Sequence, residues 1–197
     1  QIDTPTRGFS TRFDGPLDMR MSLLEGTSAK EVINTSTKEQ LRDIFYQYGE
    51  LKNARKIASV IVEKRSEKPI DTTLELADLV RPLIPVKIQH KVLAQIFQAL
   101  RIEVNQELKA LKSLLEQSAE ILNRNGRLCV ISYHSLEDRL VKRFIQYGCF
   151  ENEPEKDEFG RSYKPLKKVG EMTLPSSKEI QNNKRARSAK LRIAEKI

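Results

Sequence analysis

GRLCVISYHSLEDRLVKRF (126–144) is the stretch that sets the fold class. From Arg127 to Tyr133 it is a nearly continuous apolar run, the pattern of a strand buried on both faces of a parallel sheet. Ser135-x-x-Asp138 then reads as a helix cap, and Leu136, Leu140, Val141, Phe144 and Ile145 recur at helical spacing until Gly148. Upstream, Phe97, Leu100, Val104, Leu108, Leu111, Leu115 and Leu122 lie on one helical side. A single helix from about Lys87 to Leu122 is long for a globular domain, so a break is expected near Arg101–Asn105. Asn125-Gly126 supplies the turn between helix and strand, and residues 104–147 read helix–strand–helix, a piece of βα alternation.

On the C-terminal side, residues 151–163 are acidic and polar and read as a mobile loop. Residues 164–174 suit one strand. Residues 187–194 alternate, with Ala189, Leu191 and Ile193 on one face and Ser188, Lys190 and Arg192 on the other, which predicts a half-buried strand. The two strands are expected to pair as antiparallel neighbours at the end of the sheet. On the N-terminal side, residues 28–84 read as short helices. Ser36-x-x-Glu39 and Thr72-x-x-Glu75 are capping boxes, Gly49 and Pro69 end two of the helices, and the third stops near Pro82 or Pro85. Residues 1–27, with Pro5, Gly8, Gly15, Pro16 and Gly26, predict a structured loop.

The chain has 197 residues and a formal charge of +8. Residues 161–197 hold 11 basic and 3 acidic residues, so the whole excess sits in the tail and the body is balanced. That excludes a uniformly basic coat and allows a local strip for a polyanion. No apolar run approaches the ~20 residues of a membrane helix. Cys129 and Cys149 carry neither metal spacing nor a disulfide framework, which suits a reduced, cytoplasmic setting. The two histidines, His90 and His134, form no metal cluster with them, and His90 reads as a helix-start or surface residue. All eight glycines are isolated, and neither GxGxxG nor GxxxxGK[ST] occurs, so no phosphate or cofactor loop lies within the chain.

Ligands of open α/β sheets bind outside the carboxyl ends of the strands, which places His134, Ser135, Glu137, Asp138 and Arg139 on a candidate rim. The plain alternative is a capped helix with solvated charges. Asp14, Asp18 and Arg20 lie in the Gly/Pro loop, where two carboxylates could serve acid/base or metal chemistry, or an Asp–Arg pair could tie the loop together. Arg101 and Asn105 share a helix face and are either a structural pair or substrate-facing. Arg185 and Arg187, in KRAR (184–187), could grip phosphates or form an ordinary solvated turn.

RGFSTRFDGPLDMRM (7–21), PIDTTLELA (69–77), FQALRIEVNQEL (97–108), GRLCVISYHSLEDRLVKRF (126–144) and KRARSAKLR (184–192), in that order, resemble the MraW-type family (also called RsmH) of bacterial 16S ribosomal RNA cytosine-N4 methyltransferases. The resemblance covers essentially the whole chain and corresponds to the C-terminal two-thirds of such an enzyme. It implies an α/β fold, a partial Rossmann-like class I methyltransferase sheet with an inserted all-helical domain. Residues 1–8 and 101–197 would belong to the methyltransferase core, and residues 9–100 to the loop plus helical, substrate-recognising insertion. The implied cofactor is S-adenosylmethionine, with most of its ligands upstream of Gln1. Gln1 is the one family cofactor-contacting position present.

The implied reaction is methyl transfer to the exocyclic amine of a cytidine in 16S rRNA, with the RNA or the small ribosomal subunit as partner. No membrane partner is implied, and a homodimer is possible. On this reading His134, Ser135, Glu137 and Asp138 are rim residues with catalytic roles. Asp18, Arg20, Arg101, Asn105, Arg139, Arg185 and Arg187 are the RNA-binding candidates, and no metal is involved. The chain alone is expected to be inactive. The alternative is a stand-alone RNA-binding or interaction module without catalysis.

Overall fold

The computed structural model describes residues 4–151, 158–160 and 164–197. Gln1 and most of the loop expected at 151–163 lie outside the described residues. The chain divides into two compact units, Gln1–Glu107 and Leu108–Ile197. Helix α5, Gln89–Asn105, runs uninterrupted through residue 100 and lies within the first unit.

The first unit is helical: α1 Ala29–Thr35, α2 Lys38–Gln47, α3 Ala54–Glu67, α4 Thr73–Val80, then α5. Capping boxes at Ser28/Glu31, Thr37/Gln40 and Thr72/Glu75 start α1, α2 and α4. The box expected at Ser36 is displaced by one residue. Ser36 is the C-cap of α1, with its N–H on the Val32 carbonyl, which leaves Thr37 to open α2. Buried Leu41, Phe45, Ile57, Ile61, Leu76, Ile96 and Leu100 form one core.

The N-terminal loop joins that core through buried Leu17 and Met19. Backbone bonds from Leu17 N–H to the Asp71 carbonyl and from Thr73 N–H to the Gly15 carbonyl seat it against the start of α4. Gly8 is required there. Its φ is +72°, and a Cβ would stand 2.2 Å from the Pro16 carbonyl oxygen. The break expected near Arg101–Asn105 occurs at Gln106, which takes φ 49° and ends α5 in a left-handed cap.

The second unit holds α6, Glu107–Ile121 (its first residue closes the first unit), β1 Arg127–Ser132, α7 Ser135–Tyr147, β2 Leu166–Thr173, α8 Ser177–Asn182 and β3 Lys190–Lys196. The sheet order is β1-β3-β2 and both pairings are antiparallel, with Val130 opposite Arg192 and Lys168 opposite Ala194. The two C-terminal strands do pair as antiparallel neighbours. However, β3 is the central strand of the three, not the sheet's end. Val141, Phe144 and Ile145 of α7 pack with Leu166 and Ala194 of the sheet and with Leu115 and Ala119 of α6.

Contrary to the sequence expectation, β1 is not buried on both faces. Leu128 and Val130 join the core cluster, while Cys129 and Ile131 are exposed. Among the described residues β1 is an edge strand, and its pairing is antiparallel. Nor is the polar face of β3 the solvent face. Arg192 and Lys190 turn to the same side as buried Ala194, because a carboxylate on α7 holds them there. Partial class I methyltransferase architecture, α/β with a helical portion, accommodates both units.

Candidate functional site

The carboxyl end of β1 leads straight into α7, and the residue that opens the helix is His134, not Ser135. His134 is extended (φ −134°, ψ 166°), and its Nδ1 accepts the Glu137 N–H at 3.4 Å. Glu137 reciprocates, with Oε2 accepting the N–H groups of Tyr133 at 2.8 Å and His134 at 3.3 Å. The box therefore spans 134–137, one residue earlier than the expected Ser135/Asp138 pair. The sequence pattern alone favours serine, since imidazole is an uncommon cap.

Accepting at Nδ1 places the proton of the neutral ring on Nε2. That Nε2 is buried and has no hydrogen-bond partner among the described residues. It lies 3.2 Å from Glu137 Oε1, outside hydrogen-bond geometry. Burial pushes the Glu137 carboxyl upward, but the His134 ring and the Tyr133 and His134 N–H groups outweigh it and hold the group below the usual carboxylate range.

Asp138, at the next position, points to the sheet. Its Oδ1 accepts Arg192 Nε at 2.7 Å, and its Oδ2 accepts Arg192 Nη2 at 3.1 Å and Lys190 Nζ at 3.3 Å. The side chains of Asp138 and Arg192 are 11% and 15% exposed, so this fork–fork pair works in a partly desolvated setting. Arg192 first, and Lys190 after it, hold the Asp138 carboxyl below its ordinary value. Sequence reasoning placed Asp138 on the rim and missed Lys190 and Arg192 as its partners. The one available signal was that both share a face of β3. Ser135 is the first residue of α7, and Arg139 is exposed on the same helix.

The candidates of the first unit serve the loop. Asp18 and Arg20 form a bidentate pair at 2.9 and 2.8 Å, and Arg20 is the main cause of the lowered Asp18 carboxyl. Asp14 accepts the N–H of Leu74 at 3.0 Å and ties the loop to α4. Arg101 makes a bidentate pair with Glu107 at 2.7 and 3.0 Å. Asn105 accepts the Met21 N–H at 2.7 Å and donates to the Met19 carbonyl at 2.8 Å. Arg101 and Asn105 thus close the helix end and clamp the loop. In the second unit, Arg185 and Arg187 flank buried Ala186 on a 3-10 turn, Lys184–Ser188, with both arginines exposed. No helix among the described residues is long and apolar enough to cross a membrane.

Residues 1–197 match the family model described as the MraW methylase family. A Ribosomal RNA small subunit methyltransferase H of Flavobacterium johnsoniae is 56% identical over 197 residues, covering 100% of this chain and 65% of that protein. Proteins of the same name from Cytophaga hutchinsonii and Parabacteroides distasonis are 52% and 50% identical, over 66% and 65% of their lengths. The chain thus spans about two thirds of the length of these relatives.

Proposed function

Because the chain belongs to the MraW methylase family, we propose that it is the RNA-facing part of a methyltransferase acting on 16S rRNA of the small ribosomal subunit. The observation that carries this reading is the match over residues 1–197, joined by relatives more than half identical that are named for small-subunit rRNA methylation. The proposed reaction is transfer of a methyl group from S-adenosylmethionine to the exocyclic N4 amine of a cytidine, in the cytoplasm. Residues 1–8 and 101–197 are assigned to the methyltransferase core and residues 9–100 to substrate recognition.

The cofactor does not fit the described residues. Their glycines are separate. Gly8, Gly49 and Gly126 lie against the chain's own backbone, while Gly26, Gly160 and Gly170 face open space without forming a cradle. Isothermal calorimetry on the 197-residue chain is expected to find no micromolar S-adenosylmethionine binding. A micromolar Kd overturns the assignment of the cofactor site to other residues.

What the chain itself supplies is a way to hold the base and the strand. An exocyclic amine conjugated to its ring is a poor nucleophile, so placement and hydrogen bonding carry much of the rate. His134 Nε2, buried and without a partner among the described residues, is the rim atom suited to bonding an acceptor on a base turned out of its stack. Glu137 holds that ring by its cap, and Asp138 holds α7 to the sheet.

The exposed Arg185 and Arg187 are assigned to phosphates of the RNA, consistent with the charge excess of the tail. Arg185→Ala with Arg187→Ala is expected to weaken RNA binding several-fold and to lower the salt slope by about 1.4 for two single-strand phosphate contacts. Unchanged affinity and slope across a salt titration remove these arginines from the RNA site.

A further inference from the structure

A cleft of about 320 Å³ opens in the second unit between the C-terminal half of α7 and strands β2 and β3. It lies further along α7 from the 134–138 box and shares Arg192, the partner of Asp138, with it. Its origin is a bulge. Val169 pairs with Ile193 and Thr173 with Leu191, so Gly170, Glu171 and Met172 face a single β3 residue, Arg192. The extra residues bow β2 away from its neighbour. Gly170 makes this possible at φ +63°, and the space around it is open.

Ile145, Val169, Met172 and Ile193 give the cleft an apolar lining that includes a thioether. Lys142, Lys164, Lys168 and Arg192 surround it with positive charge against one carboxylate, Glu171. Lys168 is paired with Glu171 at 2.5 Å, and Arg192 is committed to Asp138. Lys142 and Lys164 are exposed and make no ion pair among the described residues.

An apolar slot with two uncommitted ammonium groups at its mouth matches one kind of ligand unit, a flat base with a phosphate attached. The volume is at the lower end of the range for small-ligand pockets, about 300–1,000 Å³, and suits a single nucleotide. We infer that this cleft between α7 and the β2 bulge binds one unpaired nucleotide of the RNA substrate. The base lies against Ile145, Val169 and Met172, and the adjoining phosphates lie on Lys142 and Lys164. The inference rests on the rRNA reading above and adds a second anchoring point for the strand, further along α7 from the His134 rim. Contact of the base with an apolar wall and neutralisation of the backbone by lysines are the two attractions this cleft supplies.

The test uses the 197-residue chain and a fluorescein-labelled single-stranded RNA of about ten nucleotides. In anisotropy titrations, Lys142→Glu with Lys164→Glu is expected to raise the Kd about tenfold and to lower the salt slope by about 1.4. Both lysines are exposed, so the far-ultraviolet dichroism is expected to be unchanged. If the charge reversal unfolds the unit, Lys142→Gln with Lys164→Gln is measured instead and must show the same drop in slope.

In parallel, the methyl resonances of Met172 and Ile145 are expected to shift with the RNA and not with cytidine monophosphate at equal concentration. Wild-type binding with an unaltered Kd and slope in the variants overturns the cleft and leaves the rRNA reading standing. Absence of RNA binding by the wild-type chain at every salt concentration overturns both. Equal methyl shifts with the mononucleotide make this a site for a free nucleotide and overturn its assignment to the strand.

Discussion

Replacing Asp138 with alanine is expected to destabilise the sheet unit by about 3 kcal/mol, because removing one partner of a buried charge pair strands the other. The stranded groups are Arg192, itself only 15% exposed, and Lys190 beside it. The loss is read as a fall in the urea midpoint of unfolding with the slope unchanged. An unaltered midpoint means that the pair contributes nothing and that α7 is held by Val141, Phe144 and Ile145 alone. The pH dependence follows from the same geometry. Arg192, then Lys190, lower the folded-state carboxyl, so the stabilisation is complete above the unfolded-state value near 4 and is lost as pH falls through the lower folded value. Wild-type stability should therefore decline below about pH 4, and Asp138→Asn should flatten that decline.

His134→Ala, in a protein of the relatives' full length, is expected to lower turnover about a hundredfold while changing cofactor affinity much less. Alanine also removes the cap of α7, which costs about 1 kcal/mol of helix stability. His134→Asn separates the two effects. Asparagine keeps an acceptor for the Glu137 N–H, and it lacks the buried Nε2. Normal melting with depressed turnover in His134→Asn assigns Nε2 to the substrate. Full turnover in that variant reduces His134 to a cap, and equal losses of turnover and cofactor affinity point to a cofactor role.

The helices of the first unit were legible because their signals are local. Period-3.6 apolar spacing and capping boxes placed α2, α3, α4 and the break after α5 to within a few residues. Where two candidate caps adjoin, as at Ser36 and Thr37 or His134 and Ser135, the pattern cannot choose between them. The choice depends on which residue takes the extended backbone after the preceding element ends. The site was legible as a cluster but not as a set of partners. Asp18 with Arg20 is a near-neighbour pair that spacing suggests, and it forms. Asp138 with Arg192 joins residues 54 apart in sequence, and only the β1–β3 register and the packing of α7 bring them together.

By itself the sequence determined the family resemblance, the α/β class with a helical portion, the strand-to-helix junction at residues 132–135 and the confinement of net charge to the tail. These reside in residue identity and short-range periodicity, which survive without coordinates. Tertiary structure alone decided which charges are spent. It committed Asp138 to Arg192 and Lys190, Arg101 to Glu107, and Asn105 to the loop. It also left His134 Nε2 buried without a hydrogen bond among the described residues. It opened a cleft where the β2 bulge sets three residues opposite one. The physical reason is that desolvation and hydrogen-bond geometry act through space. Whether a polar group is free to meet a ligand is fixed by neighbours that the chain order does not place beside it.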